Sequence, residues 1–265
     1  MPIGGGSFTV QNKVLPGAYI NFVSMGTNAK MGERGVAALP LELNWGPEGQ
    51  VFKLDAADFN ATSLKVFGYD PTDANILLVR EAMKRAKTLL IYRVNGGGTK
   101  ASATVGGMTV TAKYGGTRGN AIKVAVITNV DDATKADVVT YLDDMVMDSQ
   151  TVAKSGGAAS LVANDFVTFG TAATLTAATA TALTGGTNAT VNAAKHTAAL
   201  NAFEVESFNV IGYPGTNTDV KALYGAFVKR LRDDEGRKIV GVLYDYDGDN
   251  MGLINVKNGV ILANG

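Results

Sequence analysis

The chain has no cysteine among its 265 residues. That excludes disulfides, thiolate nucleophiles and thiolate metal sites, and fits synthesis in a reducing cytoplasm. Histidine occurs once, as His196, so any nucleophile–imidazole relay would rest on that one ring. Neither sign of charge is in excess, with 24 Lys+Arg against 24 Asp+Glu. A neutral chain has no global field to hold it on nucleic acid or an anionic membrane, and neither partner is expected. It also lacks the self-repulsion that keeps copies apart. No apolar run approaches the roughly 18 residues of a membrane span. Met1–Ser7 has neither the basic nor the apolar region of a signal peptide, so none is expected. Asn60-Ala-Thr62 and Asn188-Ala-Thr190 match the glycosylation pattern and, without secretion, read as chance.

What is present is an apolar fraction of 46%, enough for a proper core, and 32 glycines, which imply many turns and short strands. Lys13–Val23 reads as an extended segment, with Tyr19, Asn21 and Val23 on one face and Ile20 and Phe22 on the other. Pro16 places it at a sheet edge. Such a strand pairs within its own domain, the commoner outcome, or with another chain. Gly35–Leu43 is a second strand, and Trp45-Gly-Pro47 turns the chain. A helix is expected from Asp70, with Asp70 as cap, Pro71 in the first turn and Asp73 complementing the dipole. Ile76, Val79, Met83 and Ala86 form its apolar stripe, and Glu81 pairs with Arg85 on the wet side. Leu89–Val94 is continuously apolar apart from Arg93, as in a strand covered on both faces.

The composition then shifts to Ala, Thr, Gly and Val until about Thr190. Short β-prone pieces at 102–105, 108–113, 122–127, 138–142, 146–153 and 166–169 alternate with paired glycines, the pattern of a small sandwich or barrel. Thr171–Thr184 favours strand over helix through its threonines. Helix–strand alternation resumes with a helix over Val191–Phe203, a strand at Phe208–Ile211, a helix over Asp219–Arg232 and a strand at Ile239–Tyr244. Leu253–Leu262 reads as a hairpin with Asn258-Gly259 as its turn. The expected fold is α/β: a mixed sheet flanked by helices and split by an inserted all-β module. The expected division is an extended N-terminal arm (1–25), an α/β domain (26–97 plus 191–265) and a β-rich insertion (98–190).

Chemistry is sparse. Asp245-Tyr-Asp-Gly-Asp-Asn250 has carboxylates at alternate positions, but lacks the Gly and Glu at the loop positions a calcium hand needs, and reads as a solvated turn. Asn95-Gly-Gly-Gly-Thr-Lys100 lacks the helix that should follow a phosphate loop and reads as a linker. No serine sits in a Gly-x-Ser-x-Gly elbow, and the neighbours Asp143-Asp144 and Asp233-Asp234 do not read as catalytic pairs. Lys229–Arg232 reads as cations stabilising a helix C-terminus. No catalytic residue, cofactor site or metal site is assigned.

Four stretches occur in an informative order: Val14-Leu-Pro-Gly-Ala-Tyr-Ile-Asn-Phe22; Arg34-Gly-Val-Ala37 followed by Asn44-Trp-Gly-Pro47; Ala86-Lys-Thr-Leu-Leu-Ile-Tyr-Arg-Val-Asn-Gly-Gly97; and Ala112-Lys-Tyr-Gly-Gly-Thr-Arg-Gly-Asn-Ala-Ile-Lys-Val124. Together they resemble contractile tail sheath proteins, above all those of defective prophages and R-type bacteriocins of Gram-positive bacteria. The resemblance implies a structural subunit, made in the bacterial cytoplasm and carried in a phage-tail-like particle or virion. It implies hexameric rings stacked on an inner tube, whose contraction drives the tube through a cell envelope, with no nucleotide hydrolysis. Val14, Leu15, Gly17, Tyr19, Ile20, Asn21 and Phe22 would form an arm exchanged with a neighbouring copy, and the insertion would face outward. The family continues past such a hairpin into a C-terminal domain that meets tube and baseplate, so this piece alone is expected to be monomeric. Two other readings stand beside it: an α/β ligand-binding protein or enzyme with a site near Asn95, Gly212 and Asp245, and an adhesive module. Removing about residues 99–190 should separate them, since a sheath should tolerate that loss better than an adhesin.

Overall fold

Residues 35–258 are described by the computed structural model. Along the chain, β1 (Val36–Leu41) and β2 (Val51–Asp55) lead into α1 (Phe59–Phe67), α2 (Leu77–Met83) and β3 (Thr88–Arg93). Seven strands follow: β4 (Lys100–Val105), β5 (Met108–Gly115), β6 (Ile122–Thr128), β7 (Lys135–Leu142), β8 (Met145–Ala153), β9 (Val167–Phe169) and β10 (Ala178–Ala182). The chain returns through α3 (Ala193–Glu204), β11 (Val210–Tyr213), α4 (Thr218–Asp233), β12 (Val240–Tyr244) and β13 (Leu253–Val256).

One sheet takes the order β13-β12-β11-β1-β3-β2. All its pairings are parallel except β2 against β3. Every residue of β3 is buried, because the pleat sends alternate side chains into two different cores. Leu90 and Tyr92 join Leu200 and Phe203 of α3 and Tyr224 and Phe227 of α4. Leu89 and Ile91 join Phe59, Phe67, Val79 and Met83 from α1 and α2. Helices thus flank a mixed sheet, as the apolar continuity of Leu89–Val94 implies. Asn209 ties the start of β1 to β11, its Oδ1 accepting from Gly35 N (3.0 Å) and Val36 N (3.1 Å).

The long helix α4 follows from its ends and its face. Asn217 Oδ1 accepts from Val220 N at 3.1 Å, Asp219 sits in the first turn, and Arg230 and Arg232 sit in the last. Val220, Tyr224, Phe227, Val228 and Leu231 are its buried stripe. The basic cluster also forms specific pairs: Arg230 bridges Glu204 and Glu235, each at 2.6 Å.

The insertion is two antiparallel sheets, β10-β6-β7-β8 and β4-β5-β9, sharing one core. All six β-prone pieces are strands, and the Thr-rich tract contributes β10. Asp143 and Asp144, at φ 49° and 66°, turn the chain between β7 and β8, and their carboxylates pair with Arg118 and Lys123.

Two expectations are corrected. The helix expected from Asp70 is a 3-10 turn, Ala74–Ile76, followed by α2. Its cap is Asp73, which accepts from Asn75 N at 2.8 Å, while Asp70 holds Thr72 in a local turn. Glu81 pairs with Lys84 and Arg80 instead of Arg85, because the shorter i,i+3 reach suffices. β13, the first half of the expected hairpin, pairs parallel with β12, and the rest of that hairpin at 259–262 lies outside the described residues. The glycine run does link β3 to β4, and it is tightly packed, since a Cβ on Gly98 would lie 1.8 Å from the Thr187 carbonyl oxygen.

The core assignment is testable. Phe203 is fully buried between sheet and α4, whereas Val205, two residues on, is 85% exposed. Phe203→Ala should lower unfolding free energy by about 3–5 kcal/mol in urea titrations. Val205→Ala should change it by less than about 0.5 kcal/mol.

Candidate functional site

The strand ends are where an open α/β sheet would hold a ligand. Asn95, Gly212 and Asp245 each have other partners there. Asn95 is buried, and its Oδ1 accepts from Leu43 N (2.9 Å) and Arg93 Nε (3.2 Å). Gly212 lies under Leu39, whose Cδ2 would meet an added Cβ at 2.9 Å. Asp245 takes φ 44°, and its backbone oxygen accepts from Lys221 Nζ at 3.1 Å. Each is committed to structure.

A cleft of about 380 Å³ opens beside β1 and β11, lined by Pro40, Leu41, Leu43, Ile76, Val94 and other mostly apolar groups. Its ionisable members are Glu42, His196 and Tyr213. A lone histidine on an Ala-rich helix reads as surface or half-buried; the structure buries His196 against Tyr213 and Tyr224, with ring centroids at 5.2 and 5.8 Å. Its Nδ1 lies 3.2 Å from the Tyr224 hydroxyl. Burial pushes the imidazole below its ordinary value and both phenols above theirs, with Glu42 adding to the effect on Tyr213. These groups are held neutral in an aromatic packing cluster. Among the described residues, no set of three His, Cys, Asp or Glu side chains is placed to hold a metal. Asp247 is engaged by Lys257 and Asn255. No described helix is long and apolar enough to cross a membrane.

The densest polar geometry lies between the α/β body and the sandwich. Sequence reasoning assigns no role to Arg93, yet it is only 1% exposed and, among the described residues, contacts no carboxylate. Nη1 donates to the carbonyls of Gly46 (3.2 Å) and Gly115 (2.7 Å), Nη2 to Asn188 Oδ1 (3.2 Å), and Nε to Asn95 Oδ1. Asn188 in turn donates to Asn44 Oδ1 at 2.8 Å. Burial lowers the guanidinium pKa, with Glu48 opposing that shift from a distance, and an arginine remains charged under either influence. Trp45, from the loop after β1, lies in the sandwich core beside Tyr114 and Phe166, with centroids at 5.2 and 6.4 Å. Excising residues 99–190 would therefore expose Trp45 and remove two of the Arg93 acceptors, so the body is not independent of its insertion. A charge ending an otherwise apolar strand was the available signal for Arg93.

The surface also carries exposed apolar side chains at one sheet edge: Tyr244, Met251, Ile254 and Val256, on or beside β12 and β13. The expected arm residues Val14, Leu15, Gly17, Tyr19, Ile20, Asn21 and Phe22 lie outside the described residues.

The buried imidazole sets a pH dependence. A folded-state value below the ordinary 6.5 means the unfolded chain takes up the proton first, so this stabilisation is present above about pH 6.5 and is lost as pH falls. Thermal or urea unfolding at pH 7.5 and 5.5 should show a decline of at most about 1.4 kcal/mol per pH unit from this group. His196→Gln should flatten it; an identical slope in the variant would contradict the assignment.

Three family models match in succession: "Tail sheath protein Gp18 domain III N-terminal region" over residues 34–94, "Phage tail sheath protein beta-sandwich domain" over 96–192, and "Phage tail sheath protein central domain" over 189–265. Two Bacillus subtilis (strain 168) proteins are similar over 99% of this chain: "Uncharacterized protein YqbK", 41% identical, and "Phage-like element PBSX protein XkdK", 40% identical. The chain spans 60% of the length of each. Among solved structures, a sheath tail protein from Desulfitobacterium hafniense superposes with a TM-score of 0.82 at 45% identity, covering 94% of this chain and 58% of that one. One from Listeria innocua gives 0.76 at 39% identity, covering 89% and 53%. A body split by a sandwich, matched in order by three sheath domains and by solved sheath structures, places this chain in the phage tail sheath protein family, as a prophage-like member with a structural role in the tail.

Proposed function

We propose that this chain is the body of a contractile tail sheath subunit. It assembles as stacked hexameric rings around an inner tube and contracts to drive that tube through a target envelope. The observation that carries the reading is the uninterrupted run of three sheath domains over residues 34–265. Residues 1–25 act as an arm, 26–97 with 191–265 as the α/β body, and 98–190 as the outward domain. Val14, Leu15, Gly17, Tyr19, Ile20, Asn21 and Phe22 pair with a neighbouring copy through main-chain hydrogen bonds, a joint that tolerates rotation of the subunits. The particle is a defective prophage tail or an R-type bacteriocin, built in the bacterial cytoplasm. Tube and baseplate are met by the portion that longer relatives possess.

The energy source in this scheme is the lattice of contacts between copies, and no reaction at a pocket is required. The cleft near His196 supports this reading, because its imidazole and phenol rings are packed on one another.

The test is electron microscopy of this chain joined to the remaining part of the Bacillus subtilis PBSX protein XkdK and mixed with its tube protein. Regular sheathed tubes are expected. Ile20→Lys with Phe22→Lys should abolish them while leaving circular dichroism unchanged, and the unextended chain should elute as a monomer. Tubes formed equally well by the doubly substituted protein would contradict the arm assignment.

A further inference from the structure

We propose that Arg93 is a lock that fixes the sandwich and the α/β body in one relative orientation, so that the two halves move as a single lever. The inference rests on the junction geometry alone and stands whether or not rings form.

The argument begins with the charge. A guanidinium withdrawn from water is tolerated only when its donors are met by well-placed acceptors. Here those acceptors are four neutral oxygens carried by four separate segments: Gly46 after β1, Asn95 on the outgoing crossing, Gly115 at the end of β5 and Asn188 on the returning crossing. Gly46 and Asn95 belong to the body, Gly115 and Asn188 to the sandwich side. Rotating one half against the other would carry two acceptors away and leave a buried cation half satisfied. Among the described residues, no carboxylate contacts it that could follow the motion.

The surrounding backbone leaves no space for a hinge. A Cβ on Gly115 would lie 2.3 Å from the Gly98 oxygen, and one on Gly116 2.1 Å from the Asn44 oxygen. Amide hydrogen bonds cross the same seam, Arg118 N to Asn44 O (3.2 Å) and Ala189 N to Asn95 O (3.1 Å), and Thr187 N to Thr99 O (3.1 Å) ties the two crossings together. A second guanidinium braces the flank. Arg118 donates through Nε to the Gly68 carbonyl at 2.6 Å, lies 4.3 Å from the Tyr69 ring centroid, and is held from the sandwich side by Asp143. Hinges are a few loop residues free to absorb large dihedral changes; every crossing segment here is bonded or in contact. A force on the sandwich therefore reaches β3, inside the sheet, without being absorbed at the junction.

The protein suits a direct test, since it has no cysteine and a single tryptophan at the junction. Spin labels at Ala153→Cys on the sandwich and Lys229→Cys on α4, both exposed positions, report the distance between the halves by pulsed electron paramagnetic resonance. The labelled parent should give one narrow distribution. Arg93→Met should at least double its width. Arg93→Lys should behave like the methionine variant, because one ammonium cannot reach four oxygens in four directions. Asn188→Ala, which keeps the charge and removes one acceptor, should broaden it to a lesser extent. In urea, Trp45 emission and far-ultraviolet circular dichroism should change together in the parent and separate in the variants. A broad or bimodal distribution in the parent would overturn the proposal. So would an unchanged width in folded Arg93→Met or, if that variant does not fold, in Asn188→Ala.

Discussion

A buried guanidinium held by neutral oxygens is the constraint on which the rest of this structure depends. Removing a charge from water is expensive, and only simultaneous hydrogen bonds from several directions offset it. Arg93 takes them from segments that are 22, 47 and 95 residues away in sequence, besides its near neighbour Asn95. Meeting that requirement brings the loop after β1, both crossings and the end of β5 to one point. Trp45 then fills the sandwich core from outside it, so apolar and polar terms specify the same seating of the two halves.

Around that point the molecule is organised for rigidity. Parallel strands with helices on both faces supply the body, and an antiparallel sandwich supplies the projection. Its ionisable side chains are spent on structure: Asp143 and Asp144 hold Arg118 and Lys123, Arg230 bridges two helices and a loop, and His196 is packed between phenol rings.

Much of this was legible beforehand, for identifiable reasons. Leu89–Val94 declares a doubly covered strand because few other environments accept such a run, and α4 declares itself by a stripe at helical spacing between matched ends. The insertion's strands were readable because glycines punctuate them regularly. By contrast β2 and α1 carry weak patterns: Val51–Asp55 alternates over only five residues, and α1 contains Asn60, Thr62 and Ser63, poor helix formers inside a helix. Ser63 is accommodated because its hydroxyl donates to the Tyr69 carbonyl at 2.8 Å. The parallel pairing of β13 was not readable, since an Asn-Gly signal speaks for its local turn and is silent on the partner of the strand before it. Arg93 was invisible as a hub because its acceptors are backbone carbonyls and two asparagines, which carry no spacing rule. Asn95 and Asp245 do follow β3 and β12 and Gly212 does lie within β11, but the Asn95 side chain, the space over Gly212 and the Asp245 carbonyl are taken by contacts that no sequence pattern encodes.

Hydrogen exchange at the seam between body and sandwich tests the central claim most directly. The amides of Leu43, Arg118, Thr187 and Ala189 bond across or beside it. If the halves are one unit, these amides exchange only through global opening, as slowly as those of Leu89–Ile91 in β3. Exchange at the seam that is orders of magnitude faster than in both cores would show that the sandwich swings freely, and would contradict the account.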